Sequence, residues 1–491
     1  MSDDRNSTRL GTGGPLLGAA KLAFLVAAYA TTLVLARLFD DPATLGQYNV
    51  VARLVAVPNM VIVQTLLFAV SRPMAAQFDQ GLPAYAALRR RGMQIAGMLG
   101  GATSLMFFAA AEPLAAQLRD PELIAPIRAV APVSLFYAFY AVNIGTLNAC
   151  RRFAWQAGLD VFMATAKATL IMSGAALGLS LAATVGGFSV AASLALALSV
   201  FALWRPRGTA QSLADSSDAT PPMARFAGVL ILFTASTNLL LSADLLVFKS
   251  LATEAQQDLV GVYSSAQLVA LVPYSLLAAV SLLMFPLIAT LSAAGDSARL
   301  RDYVRETLKV TLLLLALMSA VASASAAEIQ TLLFPAAYAD AAADLRRLVW
   351  GYSGYSLVVT VAWIFNSGAR SRVAVFLVGL TLATVVAAAS AWVEAHADVG
   401  AAAAVCVAGG VGVTASLVAV RVGLGVAMPW LHFGKLGLAI AAVEGLGYVW
   451  KADGYLETLG KLTVATAAFV AVLALTKAVT LRQLQELRHA G

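Results

Sequence analysis

Three basic residues interrupt long apolar stretches of this sequence: Lys21, Arg53 and Lys167. An ionisable side chain is costly in an apolar membrane segment, so such residues usually face a protein interior or a water-filled cavity. Cations that line a wet cavity would hold an anion, and we therefore predict that these three residues bind an anionic substrate. The alternative for Lys21, near the start of its apolar run, is that its long side chain reaches the headgroups at the nearer membrane surface.

Three further charged residues are candidates for coupling or gating: Arg37, Asp160 and Asp244. Asp160 lies two helical turns from Lys167 on one face, too far for an ordinary intrahelical pair, so we expect it to meet a charge on another helix or a coupling cation. Asp244 follows a polar stripe at four-residue spacing, which suggests a face toward a cavity. An Arg37–Asp244 bridge that closes one side is a hypothesis, and two independent interfacial charges are the alternative. The stripe consists of Thr234, Asn238 and Ser242.

No motif for catalysis or cofactor binding competes with this interpretation. The sequence has no Walker A loop, HExxH, GxSxG or zinc-spaced Cys/His group, and its three histidines fall in loops or the tail. The two cysteines, Cys150 and Cys406, lie in or beside apolar runs, so a disulfide framework is not expected. We predict that the protein is not an enzyme and needs no metal or cofactor.

Membrane-spanning helices must position these residues. Of 491 residues, 60% are hydrophobic and 12% are charged, and apolar runs of about 20 residues, long enough to cross the bilayer as helices, recur along the chain. The runs lack the alternation of a membrane β-barrel. We predict an all-α, polytopic membrane protein with about fourteen transmembrane helices. The predicted spans lie near residues 16–38, 46–70, 93–111, 124–148, 156–181, 184–204, 226–248, 259–291, 307–327, 346–366, 373–392, 399–420, 432–450 and 460–480.

The distribution of basic residues predicts the orientation. A net charge of +7 could indicate a nucleic-acid partner, but the Lys and Arg residues stand in small groups between apolar runs, which is typical of membrane topology. Most of them fall on the side of the N-terminus, whereas the loops on the opposite side are rich in Asp and Glu. By the positive-inside rule both termini are cytoplasmic, with tails at 1–15 and 481–491, and no nucleic-acid partner is expected.

An internal repeat divides the chain. The segment GQYNVVARLVAVP (Gly46–Pro58) resembles GVYSSAQLVALVP (Gly261–Pro273), with Gly, Tyr and Pro in step at a shift of 215 residues, from 46 to 261. We infer a duplicated six-helix unit, for which the expected role of the matching Tyr and Pro residues is packing and bending. Because six is even, the repeats are parallel and place a cavity between them. The predicted bundles are 16–204 and 226–420, joined by a linker at 205–225 and followed by a helix pair at 421–480.

Four segments of the sequence occur in a recognisable order: LARLFDDPATLGQYNVV (35–51), SADLLVFKSLATEAQQDLVGVYSSAQLVALVP (242–273), MFPLIATLSAAGD (284–296) and LLFPAAYADAAADLRRL (332–348). They resemble the polysaccharide transporter family of the multidrug/oligosaccharidyl-lipid/polysaccharide flippase superfamily, which includes O-antigen and exopolysaccharide flippases. The likeness covers the first twelve predicted spans in order. It implies alternating access and translocation of an undecaprenyl-diphosphate-linked oligosaccharide from the cytoplasmic to the periplasmic leaflet of the bacterial inner membrane.

The resemblance also gives the three basic residues an anion to hold, because a lipid diphosphate concentrates negative charge while its isoprenoid tail stays among the membrane lipids. It implies a polysaccharide polymerase and export machinery as partners. One alternative is a cation-coupled multidrug antiporter of the same superfamily, which would be expected to have an acidic cavity. The other is a membrane polysaccharide polymerase or glycosyltransferase, which usually has a sizeable outward loop, whereas no outward loop in this sequence exceeds about 20 residues.

Overall fold

Every regular element among the described residues of the computed structural model is a helix, which confirms the predicted all-α class. The structure describes residues 3–39, 41–79, 85–204, 222–277, 297–367, 370–426 and 430–477, together with Ile288 and Leu291. Most of the predicted linker, at 205–221, and the end of the predicted span 259–291 lie outside the described residues, as do most of segment 284–296 and the predicted C-terminal tail.

The chain forms two compact units. Unit 1 comprises Met1–Ser242 and Lys249–Thr253, and unit 2 comprises Ala243–Phe248 and Glu254–Gly491. One short helix, Ala243–Leu251, therefore contributes residues to both units. The predicted seventh span belongs mainly to unit 1, since the division falls after Ser242 rather than in the linker.

Nine helices are described for unit 1 before this shared helix. The connection between α4 and α5 contains a short 3-10 helix, Pro121–Leu123. The nine are α1 (Asp3–Leu38), α2 (Pro42–Asp79), α3 (Tyr85–Ala109), α4 (Ala111–Gln117), α5 (Ile124–Val130), α6 (Pro132–Ala149), α7 (Phe153–Ala176), α8 (Leu181–Trp204) and α9 (Pro222–Leu240).

The shared helix is α10 (Ala243–Leu251), and seven further helices are described for unit 2. Helices α14 and α15 pack closely because glycines meet at their contact: a Cβ atom on Gly354 would lie 2.9 Å from the Cα atom of Gly409. The seven are α11 (Gln257–Ala270), α12 (Ser297–Ala324), α13 (Ala326–Leu333), α14 (Ala341–Ser367), α15 (Ser371–Leu424), α16 (Trp430–Val449) and α17 (Tyr455–Leu475).

Eleven helices in the described part of the chain are long and apolar enough to cross a membrane, or up to twelve if the bent pair α9–α10 counts as one span. The predicted number of fourteen is therefore not confirmed. Two predicted spans, 373–392 and 399–420, fall within the single helix α15, which contains one residue with non-helical backbone angles, Ala397. A third, 432–450, corresponds to α16, which is not among the eleven.

The predicted span 226–248 is not straight. Its two parts, Ile231–Leu240 and Ala243–Leu251, meet at an angle of 52°. The polar stripe explains the break, because Asn238 donates to the carbonyl of Thr234, and Ser242 donates to the carbonyl of Asn238. Side-chain bonds of this kind to carbonyls one turn earlier weaken a helix and often bend it.

Structural elements recur at the spacing found in the sequence. Three elements of unit 1 begin 215 residues before an element of the same kind in unit 2, which is the shift between Gly46 and Gly261. This agreement in helix starts supports the duplication independently of residue identity. The paired starts are Pro42 and Gln257, Ala111 and Ala326, and, for 3-10 helices, Pro121 and Ala336.

Candidate transport site

Asp160 joins a group of polar side chains from three helices of unit 1. Helix α1 packs along α7, and α6 contacts α7 as well. The hydroxyl of Tyr140, on α6, donates to Oδ1 of Asp160 at 3.0 Å, and Lys21, on α1, is close enough to interact electrostatically with the same carboxylate. Tyr140 is buried and Asp160 half-buried, whereas Lys21 is exposed. We call Lys21, Tyr140 and Asp160 the Asp160 cluster, which provides a carboxylate with a basic neighbour and a phenolic donor.

Lys167 lies two turns beyond Asp160 on α7 and contacts an aromatic face. Its Nζ atom is 4.0 Å from the centroid of the Phe188 ring on α8, a cation–π contact. The same two residues line a cavity of about 10 Å³ together with Tyr48 and Val55 of α2. That volume accommodates no more than one water molecule, so a larger ligand could reach Lys167 only after the pocket opens.

The other two basic candidates lie on different helices. Arg53 is half-buried on α2, between residues that line the Lys167 cavity. Arg37 is exposed and donates to the carbonyl of Leu33 in its own helix at 3.0 Å. The structure thus brings Lys21 and Asp160 together, whereas Lys167 lies two turns away in a separate pocket that residues of α2, the helix of Arg53, also line. The Arg37–Asp244 bridge stays a prediction.

Asp244 belongs to unit 2 and lies in a buried hydrogen-bond network. It stands in the first turn of α10, with no exposed surface. The hydroxyl groups of Tyr263 and Tyr352 each donate to its Oδ2 atom at 2.6 Å, and the amide of Gln267 donates to the same oxygen at 3.0 Å. The donors come from α11 and α14, so this carboxylate connects three helices. We call these four residues the Asp244 network.

Sequence reasoning missed a buried ion pair in unit 1. Nζ of Lys249 lies 2.5 Å from Oδ2 of Asp120, and the two side chains are 1% and 8% exposed. Gln47 donates to the same Asp120 oxygen at 3.0 Å, and Arg119 donates to the carbonyl of Leu251 at 3.1 Å. The sequence pattern by itself indicates only a helix-end charge for Lys249. The one signal that it offers is a lysine on the predicted acidic side.

A second missed pair lies in unit 2. Nζ of Lys461 on α17 is 2.5 Å from Oε1 of Glu328 on α13, and the backbone N–H of Ala452 donates to the same oxygen. Burial raises the pKa of Glu328, but the bonds from Lys461 and from the backbone outweigh burial and hold that pKa below its usual value. The pair therefore ties the C-terminal helix pair to α13.

Among the described residues, no group of three or more His, Cys, Asp or Glu side chains could hold a metal ion. The site contains two buried acid–base pairs, a lysine on an aromatic ring, and two carboxylates that accept hydrogen bonds from phenols. Such an arrangement can bind an anion or carry a proton.

Comparison with known proteins identifies one family model that matches the chain. Residues 94–343, which make up more than half of the 491 residues, match the family described as "Polysaccharide biosynthesis protein". A search of curated proteins found no match.

Several solved structures share the fold at low sequence identity. The lipid II flippase MurJ in an inward closed conformation is 14% identical, has a TM-score of 0.72, and the match covers 94% of this chain and 98% of that chain. A multidrug resistance MATE family transporter of the MOP superfamily, inward-facing, is 13% identical with a TM-score of 0.67, covering 83% and 99%. A MOP superfamily transporter from Pyrococcus furiosus Vc1 (DSM3638), described as having a binding pocket of reverse polarity, is 14% identical with a TM-score of 0.62, covering 84% and 96%. The predicted polytopic fold is confirmed.

Proposed function

The chain belongs to the polysaccharide biosynthesis protein family, and we propose that it is a flippase for an undecaprenyl-diphosphate-linked oligosaccharide. It would move this lipid-linked substrate from the cytoplasmic to the periplasmic leaflet by alternating access. In this proposal the protein is a transporter without enzymatic activity and acts in the bacterial inner membrane, with both termini in the cytoplasm. The likeness to MurJ, itself a lipid II flippase, supports a lipid-linked substrate.

The observation that carries the proposal is the contact of Lys167 with Phe188. The ammonium group rests on an aromatic face, which stabilises a cation by roughly 0.5–2 kcal/mol. A diphosphate would attract the same ammonium group far more strongly in this apolar setting. Lys167 is therefore suited to exchange the ring for an anionic headgroup when the pocket opens. We propose that Lys21 and Arg53 complete the substrate-binding set, and that Arg37, Asp160 and Asp244 act in coupling or gating.

The direct test is a gene deletion. We expect undecaprenyl-linked oligosaccharides to accumulate on the cytoplasmic leaflet and surface polysaccharide to disappear, and both can be measured by mass spectrometry of extracted lipids and by labelling of surface glycan. Unchanged lipid-linked pools together with unchanged surface glycan would contradict the proposal.

Lys167 can be tested by complementation of that deletion. Lys167→Ala should abolish export, because it removes the proposed phosphate-binding charge, and Lys167→Arg should restore much of it. Lys451→Ala, at an exposed lysine in the loop before α17, is the matched control and should export normally. The measurement is surface glycan per unit of membrane-inserted protein. Normal export by Lys167→Ala would remove this residue from the site.

A second candidate function, cation-coupled multidrug antiport, is favoured by one specific observation. Asp244 is a fully buried carboxylate, and multidrug transporters are among the structures that share the fold. Overexpression should then lower susceptibility to lipophilic cations, and Asp244→Asn should reverse the effect. Unaltered susceptibility, combined with loss of surface glycan on deletion, would select the flippase.

We further propose that the protein works beside a polysaccharide polymerase and export machinery. A translocated repeat unit is of use only if an enzyme on the outer face consumes it. The predicted 16–204 and 226–420 bundles would move against each other, and the helix pair at 421–480 would lie outside the moving repeats. Co-purification from membranes in mild detergent would test the partners.

A further inference from the structure

A buried carboxylate at the start of α14 has an unusual environment. Asp344 has no exposed surface, and neither of its oxygen atoms has a hydrogen-bond donor among the described residues. Its hydrogen-bonding neighbour is the carboxyl group of Asp398 on α15. Two carboxyl groups can form a hydrogen bond to each other only if one of them carries a proton. Two charged carboxylates in such contact would repel each other strongly. The pair therefore has a place for one shared proton.

Asp398, the second member of this pair, is partly exposed at the surface. Asp398 is half-buried and directly follows Ala397, whose φ of 47° bends the backbone of α15 out of the helical conformation. Glu394 and His396, just before the bend, are exposed. Arg347, on the same helix as Asp344, also acts on it electrostatically. One face of the pair is thus accessible to water, and one basic group moderates its negative charge.

Asp344 also interacts with a member of the Asp244 network. Tyr263 of α11 interacts electrostatically with Asp344 and with Asp244, and its hydroxyl is 2.6 Å from Oδ2 of Asp244. Tyr352 donates to the same oxygen, and Tyr355 acts on Asp244 electrostatically. Tyr263 has no exposed surface. A phenol between two carboxyl groups can accept a proton on one side and release its own on the other.

We propose that these side chains form a proton pathway through unit 2 that enters at Asp398 and ends at Asp244. A proton on Asp398 passes to Asp344. Tyr263 then receives that proton, directly or through one water, while its own hydroxyl proton passes to Asp244, so Tyr263 stays neutral and one proton has moved. The use of this proton to drive transport rests on the proposed function; the pathway itself does not.

The proton can be observed without any substrate. Infrared difference spectra of the purified full-length protein in lipid vesicles, recorded as the pH is stepped, report the C=O stretch of each carboxyl that gains or loses a proton. We expect a band that Asp344→Asn and Asp398→Asn each abolish, and that Asp340→Asn, at an exposed acid one turn before Asp344, leaves unchanged. Persistence of the full band in both Asn variants would overturn the proposal.

Two further arms make the test decisive. Tyr263→Phe removes the relaying hydroxyl and should leave the Asp344–Asp398 signal in place but abolish the pH response of Asp244, identified as the signal lost in Asp244→Asn. An Asp244 response that survives in Tyr263→Phe would contradict the pathway. Addition of NaCl at constant pH should not displace the shared proton, and displacement would show a metal-cation site instead. Since none of these measurements uses substrate, the pathway can fail while the flippase proposal stands, and the reverse.

Discussion

At the scale of single residues, two buried lysines are paired with carboxylates. Lys249 and Asp120 form such a pair in unit 1, and their side chains are 1% and 8% exposed. Removing one member of a buried pair leaves an uncompensated charge, which costs about 3–5 kcal/mol. Lys249→Met should therefore lower the melting temperature in detergent markedly, and Lys249→Met combined with Asp120→Asn should recover part of the loss.

An exposed pair in the same region serves as the control. Arg128 and Glu112 are 2.8 Å apart, but their side chains are 39% and 67% exposed. Exposed pairs contribute about 0–1 kcal/mol, so Arg128→Gln should shift the melting temperature little. Equal losses in Arg128→Gln and Lys249→Met would show that burial does not decide how much an ion pair contributes to the stability of this protein.

Glu328 predicts a dependence of stability on pH. Its pKa is lower in the folded protein than in the unfolded chain because Lys461 and the Ala452 N–H donate to its carboxylate. The resulting stabilisation is present above the unfolded pKa and is lost as the pH falls through the folded value. Wild type should melt higher than Glu328→Gln at pH 7, and the difference should begin to shrink near the ordinary pKa of Glu, about 4.3, and disappear at lower pH. Melting curves across this range provide the measurement.

Exposed Glu394 is a suitable reference for this pH series. Glu394→Gln should melt in parallel with wild type at every pH, since its carboxylate is exposed. A difference between wild type and Glu328→Gln that stays constant from pH 7 to well below about pH 4 would show that the ion pair does not respond to protonation of Glu328.

At the scale of elements, the bend in α15 stores backbone strain. Ala397 has a φ of 47° and a ψ of −124°, a conformation that costs a residue with a Cβ atom about 1–3 kcal/mol and costs glycine little. Ala397→Gly should therefore raise the melting temperature. The same substitution at Ala387, exposed within the regular part of α15, should lower it by the helix propensity of glycine, about 1 kcal/mol. Shifts of the same sign at both positions would contradict the strain.

At the scale of the whole molecule, the proposed orientation predicts which loops meet each aqueous phase. In a cysteine-free background, Glu254→Cys should react with a membrane-impermeant maleimide in intact spheroplasts, and Arg91→Cys should react only after permeabilisation. Both positions are exposed, so access rather than burial decides labelling. The opposite pattern would invert the topology, and labelling of both sites from outside would contradict the predicted span order.

The composition and the residue pattern were sufficient to predict the fold class and the internal repeat of this protein. Apolar runs predicted an all-helical membrane protein, and the shift between Gly46 and Gly261 predicted a duplication that recurs in helix starts such as Pro42 and Gln257. These properties depend on hydrophobicity and local spacing, which are read directly from neighbouring residues. The number of membrane spans was harder to predict from the sequence. Bends such as those at Leu241–Ser242 and Ala397 change how the apolar stretches are divided into helices.

Only the tertiary structure decided which charges meet. Lys249 and Asp120 are 129 residues apart in sequence, Lys461 and Glu328 are 133 apart, and no local pattern pairs them. Asp244 was recognised as a candidate from its polar stripe, but its phenolic donors Tyr263 and Tyr352 come from helices that follow later in the chain. The residue type determines the chemistry of a side chain. Its hydrogen-bond or ion-pair partner is determined by packing between helices that are distant in sequence.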